Sequence, residues 1–434
     1  MSRVRLNAFP LLAAVVLATA SGPALGQETK ASPGNSKIKQ VTAPKGGKVK
    51  PLEDAECLEL ASKISEAIGA KDFEDFNRVF DFNAMLEAMS DGIPTTDEFR
   101  EDFHKRSLKS LQGDQGIFER IAEQVSRGGS YTFLRLHSRD QRKTALFRMI
   151  LPEESGVNYH EYYLARKPDG GVHATDLYVY LSGETMSQTL RRFYLPVAAS
   201  VPQNPFSKFS GPEKDLVKSF DTVKKMTHGI NERKFQDTLD AYFELPPSLR
   251  KDKYMLLLRI QAAQGANDDK VYHESLQTFR IMHPKDPCVD IFSIDYFLLN
   301  KEFDKCMTCI DRVDKELGGD PYLDVLRVGL HRTENKLDVA WQDVTRAMKR
   351  EPTLFQAYEA QLDLSLALKK YDSTLSSLKI LREQFGIVFK DLSTVPEYAG
   401  FVASPEYKAW EAYAKAKKGE GKLDEPTKEK AGDK

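Results

Sequence analysis

A ladder in the second half of the chain constrains the fold more than any other feature. Its anchors are Phe235, Tyr272, Phe303, Leu337 and Tyr371, whose numbers differ successively by 37, 31, 34 and 34. Three residues after each stands a small side chain: Thr238, Ser275, Cys306, Ala340 and Thr374. Apolar side chains follow at the seventh place (Tyr242, Phe279, Ile310, Val344, Leu378) and the tenth (Leu245, Met282, Val313, Ala347, Leu381). A period of about 34 residues with this internal pattern predicts consecutive helical hairpins, none of which buries its apolar face alone. Small third residues let the two helices of a hairpin approach closely. The later apolar residues are placed to pack on the next hairpin.

The two ends read differently. Arg3 and Arg5 precede the apolar run Leu11–Ala20, and Ala24-Leu25-Gly26 offers small residues where a signal peptidase reads. Residues 1–26 are therefore expected to be a signal peptide cut after Gly26, which makes the mature chain exported, periplasmic or secreted. Ten apolar residues fall short of the roughly 20 needed to span a bilayer, so no integral membrane segment is expected in the mature chain. An uncleaved anchor is the alternative. Residues 27–50 are rich in Lys, Gly, Ser and Pro and predict a disordered basic linker. Residues 415–434 predict a disordered tail.

Residues 53–200 change period partway. Apolar positions recur at helical spacing up to about residue 126, with Thr96 as a helix cap followed by Asp97 and Glu98. From there the period becomes two, and four strands are expected at Tyr131–His137, Thr144–Leu151, Val157–Arg166 and Val172–Leu181. Turn residues separate them at Ser138-Arg139-Asp140, Glu154-Ser155-Gly156 and Pro168-Asp169-Gly170-Gly171. The reading is an α+β domain, helices followed by a four-stranded antiparallel meander. A proline-rich stretch near 200–212 separates it from an all-α repeat domain over 213–414.

Helices followed by such a meander resemble the cone-shaped nuclear-transport-factor-like and SnoaL-like superfamily in architecture. That resemblance implies a cone whose mouth holds a small ligand, performs catalysis or serves dimerisation. Residues placed to line a mouth include His137, His160, Tyr162, Asp176 and Tyr178, with Glu161 nearby. The competing reading is a packed, hydrogen-bonded sheet, since tyrosines alternating along strands are ordinary β residues. His160 and Glu161 point to opposite faces and cannot easily work together.

The hairpin region resembles the tetratricopeptide-repeat family. Ala340, Ala347 and Pro352 stand where that family favours Ala, Ala and Pro, and Tyr358 matches its first-helix aromatic, whereas Asp324 occupies the same place one unit earlier. The resemblance implies a solenoid with a concave binding face lined by first helices. Exposed positions expected on that face include Arg259, Asp295, Arg327, His331, Gln361 and Ser365. Phe389, Leu392, Tyr398, Phe401, Tyr407 and Trp410 are expected to cap the last hairpin.

Function follows from what is present and absent as motif. A formal charge of −1, or −3 once Arg3 and Arg5 are lost, and no basic stripe with interleaved aromatics argue against nucleic acid as a partner. There is no His-Glu-x-x-His, phosphate-cradling glycine loop or Gly-x-Ser-x-Gly elbow, so no catalytic residue, metal site or cofactor is assigned. Cys57, Cys288, Cys306 and Cys309 read as buried packing residues, with a Cys306–Cys309 disulfide or redox chemistry as alternatives. The leading expectation is an exported, non-enzymatic protein-interaction module. A small-ligand-binding protein with its ligand in the α+β cone is the alternative. The protein partner is unidentified, and monomer and homodimer both stay open.

Overall fold

The computed structural model describes residues 50–113, 116–152, 156–168, 170–201, 211–284, 286–389 and 391–420. The expected signal peptide, most of the basic linker and the tail beyond Glu420 lie outside these residues. The chain forms two compact units divided after Leu299. The first opens with helices α1 (Asp54–Ala70), α2 (Phe73–Val79), α3 (Phe82–Ser90), α4 (Asp97–Leu111) and α5 (Ile117–Ser126). Their starts follow from side-chain acceptors for otherwise unpaired first-turn N–H groups. Asp72 accepts from the Asp75 N–H, Asp81 from Ala84 and Thr96 from Phe99.

Five antiparallel strands come next, in the order β1 (Ser130–Arg139), β2 (Arg142–Ile150), β3 (Val157–Arg166), β4 (Val172–Val179) and β5 (Glu184–Thr185). The fifth, two residues long, is missing from the four-strand expectation because two residues carry no period. The first turn also differs. Asp140 and Gln141 are its two central residues, both left-handed with φ of 50° and 61°, so β1 and β2 each run further than expected. Such a pair matches the twist of a two-residue hairpin. The helical side of the sheet is aromatic: Phe76, Phe80, Phe82, Phe118, Phe147 and Tyr162 are all at most 3% exposed. Phe147 and Tyr162 meet edge to face at 5.3 Å between ring centres.

Helix α6 (Met186–Ala199) follows the sheet, capped by a Thr185–Gln188 box. The unit then continues with α7 (Gly211–Lys218), α8 (Phe220–Asn231), α9 (Phe235–Glu244), α10 (Pro247–Arg250), α11 (Lys253–Gly265), α12 (Asp269–Met282) and α13 (Pro287–Leu299). Every residue of α11 from Tyr254 to Ala263 is buried. A helix surrounded in this way needs a cover on each side. Helices α8, α9 and α12 contribute on the repeat side. Against the start of α11, helix α6 places Phe193 at 6.3 Å from the Tyr254 ring and the Arg192 guanidinium at 5.0 Å.

The second unit holds α14 (Phe303–Glu316), α15 (Pro321–Thr333), α16 (Leu337–Arg350), α17 (Phe355–Ala367) and α18 (Tyr371–Phe385). Two single 3-10 turns, α19 (Ala399–Val402) and α20 (Pro405–Glu420) end it. Leu392, Phe401 and Trp410 are buried against Tyr358, Leu362, Leu378 and Leu381, so the terminal segment covers the last hairpin as expected. Helix α20 continues past Lys415, where the tail was expected to begin.

Adjacent helices in this half pack in a repeat-like manner, and the structure sharpens the ladder. The second helices begin at Phe235, Asp269, Phe303, Leu337 and Tyr371, evenly spaced by one full period at every step. Four first helices begin at Lys253, Pro287, Pro321 and Phe355, with the same even spacing. Tyr272 is therefore not the anchor; Asp269 is. In the corrected frame the seventh and tenth places fall on Leu276 and Phe279, both fully buried, whereas Met282 is 39% exposed. Tyr272 itself occupies the rung that is Thr238, Cys306, Ala340 and Thr374 elsewhere. Two residues before each second helix stands a left-handed residue: Arg233, Asn267, Lys301, Asn335 and Lys369. It closes the preceding helix; the Lys336 N–H, for example, donates to the His331 carbonyl at 2.8 Å. The α1–α2 connection has the same form, with Lys71 left-handed and Asp72 N–H donating to Ala67 at 2.8 Å.

Candidate functional site

Residues directly opposite one another in an antiparallel sheet share a face. Glu161 lies opposite Leu146 and Tyr178; His160 lies opposite Phe147 and Val179. The two polar residues thus organise separate networks on opposite faces.

On one face Glu161 is wholly buried and its four acceptor positions are filled. Oε1 accepts from His137 Nδ1 and from Thr144 Oγ1 at 3.1 Å. Oε2 accepts from Arg139 Nε and from Tyr180 Oη at 3.3 Å. Arg139 also donates to Tyr180 Oη at 2.6 Å and lies 4.0 Å above the Tyr178 ring. Burial pushes the Glu161 carboxyl up, but the His137 hydrogen bond and the Arg139 charge outweigh it and hold the group below its usual value. His137 and Tyr178 are thereby partners in the network around this carboxylate.

On the helical face, Asn158 Nδ2 donates to His160 Nε2 at 3.0 Å. That leaves His160 Nδ1–H to donate to Tyr131 Oη at 3.0 Å, and Tyr131 donates onward to Tyr162 Oη at 2.9 Å. Burial lowers the His160 pKa to about 3, so the imidazole is neutral. Burial likewise pushes Tyr162 up. Asp176 serves a third purpose. Its carboxylate accepts from the Leu177 N–H at 2.8 Å, the Ser187 N–H at 3.2 Å and Ser187 Oγ, tying β4 to the start of α6.

The five sheet candidates do not converge on a common opening. A cleft of about 700 Å³ lies instead between α1, α2 and the β3–β4 turn, and none of the five lines it. Several charges along it are paired: Glu59 with Lys63, Asp75 with Arg78, and Glu56 with Arg166, whose hydrogen bond holds Glu56 down to about 2.

Elsewhere in the first unit, Lys253 Nζ donates to the Gly183 carbonyl and to Asp286 Oδ2, each at 2.6 Å. Gly183 has φ +62°, and a Cβ there would meet Lys253 Nζ at 2.9 Å. Arg192 pairs with Glu184 at 2.6 Å. This clamp holds the end of the sheet to the hairpins of the same unit.

The expected exposed first-helix positions are buried or half-buried. Arg259 lies 4.8 Å over the Tyr242 ring and 3.6 Å from Glu274. Asp295 is 7% exposed. In the second unit Arg327 contacts Asp311 at 2.7 Å, Asp314 at 3.0 Å and Asp324 at 2.8 Å. His331 Nδ1 meets Asp343 at 2.7 Å, and Gln361 accepts from Ser377 Oγ at 2.7 Å. Ser365 is fully buried against Thr374. Asp295 apart, the reason is length and partner: these polar side chains fold back onto second helices that carry acids or hydroxyls.

Sequence reasoning passed over the centre of that second network. Asp324 is 1% exposed and accepts from Arg327, Arg346 at 2.8 Å and Arg350 at 3.0 Å. Its signal was present: it stands where the resembled family carries an aromatic. Among the described residues no cluster of three or more His, Cys, Asp or Glu could hold a metal ion, and no helix is long and apolar enough to cross a membrane. All four cysteines are buried. No protein-family model, curated protein or solved structure matches this chain.

Proposed function

We propose that this protein is an exported, non-enzymatic protein-interaction module that works through its helical half, with the α+β part in an accessory binding or dimerising role. The observation that carries the reading is the strictly periodic recurrence of helix starts and left-handed turn residues. Arrays of like hairpins, such as those of the tetratricopeptide family resembled here, present extended surfaces suited to binding another chain. Use of the polar sheet residues supports it too. A small-ligand site needs convergent polar groups with unfilled valence, and Glu161 and His160 spend theirs internally. The export component rests on Arg3, Arg5 and the apolar run Leu11–Ala20.

The test is capture of residues 27–434 from the native envelope or secreted fraction, followed by titration calorimetry with each purified candidate. A saturable complex with one protein is the expected result. Mass spectrometry of the denatured purified protein runs beside it. A stoichiometric small molecule, with no protein binding directly, would replace this reading by the cone-ligand alternative.

A further inference from the structure

The described chain begins at the mouth of the cleft between α1, α2 and the β3–β4 turn, and Arg166 pins that entry. Its guanidinium donates to the carbonyls of Lys50 at 3.0 Å and Pro51 at 2.8 Å. It also donates to Glu56 Oε1 at 3.1 Å and to the Gly170 carbonyl at 2.6 Å. Glu56 and Gly170 both line the cleft, and Lys50 Nζ stands 3.7 Å from Glu56 Oε1. The backbone at Lys50 is therefore held beside the first turn of α1, at one end of the cleft.

From Glu56 the cleft follows one side of α1 as far as Ala70, a length of about 21 Å at the rise of a helix. Leu60, Ala67 and Val79 give it a buried apolar floor. Glu59, Glu66, Asp72 and Asp75 give it an acidic rim. Glu59 and Asp75 pair with Lys63 and Arg78 of their own helices, contacts between exposed side chains that exchange easily. Glu66 accepts from Ser62 Oγ at 2.7 Å. On the β4 side, His173 Nδ1 is buried without a hydrogen-bond partner. Buried polar atoms are ordinarily paired, and a peptide group of a chain lying in the cleft would pair this one.

Ahead of Lys50, residues 29–49 carry five lysines and no acidic residue. An extended chain advances about 3.3 Å per residue, so about seven residues match the length of the cleft, which are residues 43–49. Traced back along α1 from Lys50, Lys48 comes about 7 Å along and Lys45 about 17 Å. Glu59 and Glu66 stand about 5 Å and 15 Å along the helix from Glu56. We propose that this cleft is the docking site of the chain's own basic segment, residues 43–49. Lys48 pairs with Glu59 and Lys45 with Glu66, Pro44 and Val49 meet the apolar floor, and the backbone serves His173 Nδ1. Tethered at Lys50, the segment faces the cleft at an effective concentration on the order of millimolar, an advantage that no separate basic peptide shares.

The test is limited trypsin digestion of residues 27–434 at low salt, with mass spectrometry of the products. Cleavage after Lys45 and Lys48 about tenfold slower than after Lys37 and Lys39 is the expected result. The difference should vanish in high salt and in the double variant Glu59→Gln, Glu66→Gln, whose altered side chains are exposed. Equal cleavage at all four lysines, or equal protection in the double variant, overturns the proposal. Carbodiimide coupling of a mixture of isotope-labelled and unlabelled wild-type chains identifies the occupant, and decides alone should the double variant not fold. Amide links from Lys48 to Glu59 and from Lys45 to Glu66 within one chain are expected, and their absence overturns the pairing. Links between labelled and unlabelled chains would put a second copy in the cleft. Preferential coupling of an added lysine-rich peptide to Glu59 and Glu66 would put a partner there, and either outcome overturns the assignment.

Discussion

Glu161 in the sheet and Asp324 in the helical half are both carboxylates sealed from solvent, and their surroundings differ in one respect. The donors to Glu161 come from short or rigid segments: His137 and Arg139 on β1, Thr144 on β2 and Tyr180 just past β4. Arg139 is only 12% exposed. Asp324 is held by three arginines of α15 and α16, two of which keep 46% and 36% of their side chains in solvent. The sheet network is closed, whereas the helical one drains to water. Loss of a carboxylate should therefore strand charge in the first case and release it in the second.

The largest effect is expected for Glu161→Gln, a loss of about 3–5 kcal/mol in chemical denaturation, because Arg139 stays buried without its counter-charge. Acid should act on the same region. His160 has a folded value of about 3 against an ordinary value of 6.5, so the unfolded chain takes up the proton first. Its contribution is complete above pH 6.5 and lost as pH falls toward 3, on the order of 5 kcal/mol in full. Glu161, also lowered, contributes above its ordinary value of 4.5 and loses this as pH falls through its folded value. In His160→Phe the fall in first-unit stability between pH 6.5 and about 4.5 should be shallower than in wild type; a slope equal to wild type there would remove the assignment.

Asp324→Asn should cost less, about 2 kcal/mol, with Arg346 and Arg350 turning to water. A loss equal to that of Glu161→Gln would break the contrast between closed and drained networks. The smallest effect is Gly183→Ala, about 1–2 kcal/mol, from a left-handed backbone and crowding against the Asp286 carboxylate and Lys253. Adding Asp286→Ala should recover part of it if the clamp is the cause.

Much of the architecture was legible because period and turn chemistry are local. Strand β3 falls on Val157–Arg166 as expected, and Thr96 caps its helix as expected. The error at Tyr272 shows where pattern fails: α12 begins with the polar Asp269, and an aromatic three residues later imitated the anchor. The polar networks were less accessible. Glu161 meets its arginine only because β1 and β3 both pair with β2, a relation set by registers far apart in sequence. Yet one trace was in the numbering. Arg259, Ser293, Arg327 and Gln361 recur once per repeat, a polar column inside the apolar ladder, and recurrence at the repeat period marks a position that packs.

The left-handed turn residues bear on how such a chain can change. Arg233, Asn267, Lys301, Asn335 and Lys369 each hand the backbone to the next helix two residues on. A deletion from one to the next removes a single whole repeat and rejoins the backbone in an equivalent geometry. Shorter deletions would leave a helix entering out of phase. The helical half can thus gain or lose length in whole hairpins, leaving the sheet and its networks as they are. Variation by recombination would favour those five joints over all others.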